Sequence, residues 1–164
     1  MKEHRAGFRM LEREQRLNEP HEDSYRDSAK LPDPSRCPKC GVVYHKGHWA
    51  WGDAPAGSLR IKCPACRRIE DDFPAGYVTL RGAFLAEHRQ EVLNLVKARE
   101  TRAKSEHPLQ RIIGVKPLPD GVLVTTTDGH LARNIAHALH EAFKGELDLS
   151  YSKSENLVRA TWTR

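Results

Sequence analysis

Cys37-Pro-Lys-Cys40-Gly41 and Cys63-Pro-Ala-Cys66-Arg67 decide how the rest of this chain is read. Two residues between thiols let one tight turn aim both sulfurs at a single ion. Two such turns complete a tetrahedral site of four thiolates. Gly41 follows the second thiol, where a positive φ is useful. The gap of 22 residues between Cys40 and Cys63 is spanned by a short hairpin. Because all four donors are thiolates, no position stays open for water, so the spacing predicts one structural Zn²⁺ held by Cys37, Cys40, Cys63 and Cys66. A pair of redox CxxC motifs is the competing reading.

Between the two knuckles lies Val42-Val-Tyr-His-Lys-Gly-His-Trp-Ala-Trp51. Tyr44, Trp49 and Trp51 have two readings. Either they form an exposed aromatic hairpin that contacts bases or a protein partner, or they pack over a metal site too small to own a core. His45 and His48 are expected to be solvated, since the cysteines already fill the shell.

Upstream, residues 1–36 hold 8 basic and 8 acidic side chains and only scattered apolar ones. Such composition predicts a mostly disordered tail and linker that orders on a partner. Downstream, 83–107 reads as one long helix, basic in its second half and stopped by Pro108. From 108 to 164 the pattern becomes strand, strand, helix, strand, strand. Val122-Leu-Val-Thr-Thr-Thr127 is β-branched, Asp128 is a plausible N-cap, and Gly145 stands where a helix ends. Leu131, Ile135, Leu139 and Phe143 share one arc of the helix, with Arg133 and His137 opposite. The fold expected is α+β: disordered tail (1–36), Cys₄ zinc ribbon (37–82), long basic helix (83–107), and a ββαββ unit (108–164) with one helix on a small antiparallel sheet.

The net charge is +5 and falls to +3 once four thiolates hold one divalent ion. Residues 37–105 carry 12 basic and 7 acidic groups, so the whole excess lies there. Lys62, Arg67, Arg68, Arg81, Lys97, Arg99, Arg102 and Lys104, with Arg133 and His137 on the C-terminal helix, are the candidate phosphate contacts. No window is apolar enough for a membrane helix, and the first residues lack a signal-like apolar run; a cytoplasmic protein is expected. There is no phosphate-cradling glycine loop and no nucleophile in a recognisable context, so no catalytic residues are assigned and a non-enzyme is expected.

Three stretches resemble the large-ribosomal-subunit export adaptor of archaea and eukaryotes, the "nonsense-mediated decay protein three" family. They are Cys37-Pro-Lys-Cys-Gly…Gly47-His-Trp49, Cys63-Pro-Ala-Cys…Gly76-Tyr-Val-Thr-Leu-Arg-Gly82, and Asp120-Gly-Val-Leu-Val…His130-Leu-Ala-Arg-Asn-Ile-Ala-His-Ala-Leu139. The chain looks like a small bacterial, single-zinc branch of that pattern, since the family usually carries four CxxC pairs and this chain has two. The resemblance implies binding to the large subunit or its RNA, in maturation, quality control or idling under stress. The alternative is a protein-interaction zinc-ribbon module in stress or transcription regulation, working through the tail and zinc hairpin.

Overall fold

The computed structural model describes Tyr25 and residues 30–164. Apart from those, the tail expected over 1–36 lies outside the described residues. Its last two residues differ from the expected linker: Ser35–Arg36 is a strand, β1. Pro32 and Pro34 bias the residues before them toward extended backbone, and β1 continues that extension. It pairs antiparallel with β2 (Val43–His45), which pairs with β3 (His48–Ala50), and on its other side runs parallel to β4 (Leu59–Arg60). Lys46 and Gly47 both have positive φ, +53° and +85°. That is the mirror-image turn whose twist suits a two-residue hairpin.

The second knuckle runs into a helix absent from the sequence reading, α1 (Pro64–Glu70). Cys63 is its N-cap, with Sγ accepting from the Cys66 N–H, and Pro64 opens the first turn. Proline suits that place because its missing N–H would have had no helical partner.

The larger sheet corrects the expected architecture. Gly76–Arg81, placed with the ribbon by the boundary at 82, is β5, the central strand of a five-stranded sheet. It pairs antiparallel with β7 (Gly121–Thr126) and parallel with β9 (Leu157–Thr163). The edges are β6 (Ile112–Leu118) on β7 and β8 (Glu146–Ser152) on β9. The sheet is therefore mixed, not antiparallel, and the strands after Pro108 close only around β5. Gly76, Val78 and Leu80 alternate with Tyr77, Thr79 and Arg81, and the first set is buried. Gly76 is required there: a Cβ would stand 2.5 Å from the Ala132 Cβ.

The helix expected over 83–107 is two, α2 (Ala83–Glu87) and α3 (Arg89–Glu106), broken at His88. Only a narrow apolar stripe of α3, with Val92 and Val96 at its centre, is buried. α4 (Gly129–Phe143) is capped by Asp128, whose carboxylate accepts from the His130 N–H at 2.6 Å. Leu131, Ile135 and Leu139 are fully buried against β5, β9 and α3, each worth about 1.5–3 kcal/mol of transfer energy. Phe143 is half-buried beside Trp162. Arg133 and His137 face solvent. Among the described residues no helix is long and apolar enough to cross a membrane.

Candidate metal centre and basic groove

The hydrogen bonds Gly41 N–H to Cys37 O and Cys37 N–H to Val42 O, both 2.9 Å, close the first knuckle. The first turn of α1 forms the second. Together they bring the Sγ atoms of Cys37, Cys40, Cys63 and Cys66 within 4.8 Å of one another, with Cys40 and Cys63 at 3.8 Å. A tetrahedron with Zn–S bonds of about 2.3 Å has edges of about 3.8 Å. The four sulfurs can therefore share one metal ion, a geometry consistent with a zinc-binding module. A disulfide would need about 2.05 Å. His45 and His48 stay outside: His45 Nδ1 lies 2.7 Å from Asp33 Oδ1, and His48 Nδ1 lies 3.3 Å from the Lys46 carbonyl.

Cys37 and Cys63 are almost wholly buried and Cys66 nearly so. Burial pushes the Cys63 thiol far above its ordinary range, and the neighbouring sulfurs add to the shift. Burial also raises Cys66, against hydrogen bonds from Cys63 and Arg111. At Cys37 burial opposes the thiolate too, but backbone N–H groups of Cys63, Cys40 and Lys39 hold it at about 6. Four thiolates crowded at this depth need a cation to coexist.

Part of that compensation comes from Arg111, which sequence reasoning missed. Its side chain is 5% exposed. Nη1 donates to Cys66 Sγ at 3.3 Å, Nη2 to Cys40 Sγ at 3.0 Å, and Nε to the Pro108 carbonyl at 2.8 Å. Its N–H donates to Thr127 Oγ1 and its carbonyl accepts from the Thr127 N–H, both at 2.9 Å, fixing the residue to the start of the sheet. One divalent ion leaves the four thiolates at −2, and the guanidinium brings the cluster to −1. Its sulfur partners lie 45 and 71 residues away, and nothing local in Gln110-Arg-Ile-Ile marks it. Trp51 covers the same joint, with Arg111 Cζ 5.7 Å from its ring and its indole donating to the Lys104 carbonyl at 2.7 Å. Trp49 is half-buried against the cysteine cluster, and Tyr44 lies across the hairpin from it with ring centroids 5.3 Å apart. Trp49 thus covers the ribbon with Tyr44 against it, whereas Trp51 leans on the Arg111 joint and stays 39% exposed.

The ten candidate phosphate contacts separate. Arg99 and Arg102 of α3 meet Arg133 of α4 in a surface groove of about 640 Å³, joined by His107 and His130, with Glu106 the one acid on its wall among the described residues. A smaller cavity of about 340 Å³ shares His130 and Arg133 and extends to Tyr151 and Asn156. Arg68 departs from expectation. It is 6% exposed, donates to the Phe73 carbonyl, and lies over the Tyr25 and Phe73 rings, so it does not present its charge to a ligand. Arg67 donates to the Tyr25 carbonyl. Lys62 is paired with Glu70 and Arg81 with Asp120. Lys104 lies near the Trp51 ring. Lys97 and His137 are exposed outside the groove. Spacing along each helix gave both halves of the groove, but not the packing of α3 on α4 that joins them.

No protein-family model, curated protein or solved structure matches the chain. Fold and site together define a mixed α/β chain with a cluster of four cysteines able to hold one metal ion.

Proposed function

We propose that the chain is a non-enzymatic, zinc-stabilised cytoplasmic factor that binds RNA of the large ribosomal subunit. The observation that carries this reading is the groove in which Arg99, Arg102 and Arg133 come together. Three guanidiniums with two imidazoles around one acid suit consecutive phosphates, and the planar fork of arginine matches phosphate oxygens in pairs. Four soft thiolates in tetrahedral array favour zinc over hard cations. The centre stiffens the ribbon, and Arg111 ties the ribbon to the segment that forms one wall of the groove. The large subunit, rather than another RNA, is suggested by the likeness of the CPxC knuckles and the Ala132-Arg-Asn-Ile-Ala136 run to the export-adaptor family.

Sedimentation through a sucrose gradient tests the reading. The full chain travels with the large-subunit fraction, and RNase treatment releases it. Arg99→Glu with Arg133→Glu shifts it to the top of the gradient without lowering its melting temperature. Parent protein that stays at the top of an untreated gradient rules the proposal out.

A further inference from the structure

We infer that the first knuckle carries a second phosphate-binding site, built on Arg36 and Arg60, that takes the backbone of the RNA strand held in the groove. This rests on the reading of the chain as an RNA-binding factor. Arg36 and Arg60 are register partners across the parallel pair β1–β4, so their side chains leave the same face of the ribbon side by side. Like charges so placed destabilise a strand pair. Among the described residues neither guanidinium has a hydrogen-bond or ion-pair partner. Among the described residues, no counter-charge offsets that repulsion.

Both arginines line a cavity of about 680 Å³ together with Lys39, and among the described residues no carboxylate contributes to its wall. Lys39 is 3.9 Å from Glu70, but both side chains are about half exposed or more, so the pair is weak and the ammonium can turn to a ligand. Arg36 Nη2 lies 3.5 Å from where a Cβ on Gly41 would stand, so the guanidinium lies along the knuckle. The volume falls within the range of roughly 300–1,000 Å³ typical of small-ligand sites, enough for a phosphate and the sugar attached to it. Two guanidiniums and an ammonium around a space without acids select a phosphate.

The occupant follows from what stands behind the cavity. Cys40 forms part of its wall and accepts from Arg111 on its other side. Gln110, the residue before Arg111, lines the groove between α3 and α4. The cysteine cluster thus borders the first cavity through Cys40 and meets the groove through Gln110 and Arg111, which is why both are assigned to one strand.

Fluorescence anisotropy with a labelled 12-nucleotide oligouridylate, repeated over a series of salt concentrations, tests the site on the full metal-loaded chain. Arg36→Gln with Arg60→Gln should weaken binding and lower the salt slope by roughly 1.4, about 0.7 for each single-strand phosphate contact. The same variant should melt no lower than the parent, because the substitutions remove a repulsion. A residue with a purely structural role would instead lower the melting temperature and leave the slope alone. If the double variant does not fold, Arg60→Gln alone carries the test with half the change in slope. Unchanged affinity and slope, while Arg99→Glu with Arg133→Glu loses binding, overturns this inference and leaves the proposed function standing. If the parent binds no RNA, the proposed function fails, and calorimetric titration with inorganic pyrophosphate decides the pair. Heat seen with the parent and lost in the variant keeps a phosphate site there; no heat with the parent overturns it.

Discussion

Replacing Arg111 with Met removes the guanidinium while keeping a long apolar stem in the space it fills. Two charge-assisted donations disappear, to Cys66 Sγ at 3.3 Å and Cys40 Sγ at 3.0 Å. Each is worth about 1.5–3 kcal/mol when the acceptor is charged, so the gross loss is about 3–6 kcal/mol. Not all of it appears as metal affinity, because the metal-free fold also loses the Nε bond to the Pro108 carbonyl and its own thiol contacts. Removing a partner that holds metal ligands in place typically costs about 10–100-fold in affinity, or about 1.4–2.7 kcal/mol. That is the expected shift, with the remainder taken from the stability of both forms. Competition against a chromophoric zinc chelator at pH 7 measures it. Arg111→Lys, which keeps the charge but loses the two-pronged geometry, should fall between parent and Met variant. A folded Met variant that holds metal within twofold of the parent refutes the assignment of Arg111 to the centre.

Elemental analysis of purified protein should give one zinc per chain, and Cys63→Ser should lose it; chelation should expose the amides of β1–β4 to hydrogen exchange before those of β5 and β9, because the ribbon has almost no apolar core of its own. Leu139→Ala should cost about 2–5 kcal/mol in urea unfolding, since the side chain is fully buried, whereas Arg133→Ala with His137→Ala should stay within about 0.5 kcal/mol. Asp33 is held below the ordinary carboxylate range by its hydrogen bond from His45 and a second from the Lys46 N–H. A depressed carboxylate contributes stability above its unfolded pKa and loses it as pH falls through the folded one. The Lys46 amide should therefore gain exchange protection from Asp33 at neutral pH and lose it below about pH 4, and Asp33→Asn should abolish that pH dependence.

What was legible in the chain was what repeats at short range. The Cys-Pro-x-Cys turns, the apolar arc of α4 and the cap at Asp128 are all written within a few residues of where they act. Three departures share one cause, partners far away in sequence. Gly76–Arg81 looks like the tail of the ribbon, yet its neighbours are Gly121–Thr126 and Leu157–Thr163, and only those pairings make it central. Arg68 looks like a free cation beside Arg67, but the rings of Tyr25 and Phe73 enclose it. Arg111 is the clearest case, since a strand-opening arginine becomes part of a metal centre only when the sheet folds against the ribbon. The break at His88 is a different kind of miss: the polar run Glu87–Gln90 gives no signal that separates a kink from a continuous solvated helix.

The joint at Arg111 also has an order in time. On a nascent chain all four thiols have emerged by Cys66, but the arginine that faces them follows 45 residues later. At about 5–20 residues per second that interval is about 2–9 s. During it the knuckles can take up metal with their sulfurs still open to solvent, oxidants and competing ions. β9, the parallel neighbour of β5, arrives later still, so the sheet that carries Arg111 is completed last. The thiols are thus complete early and their arginine cover comes late, so a metal taken up by the knuckles would be most easily exchanged or oxidised in the seconds between.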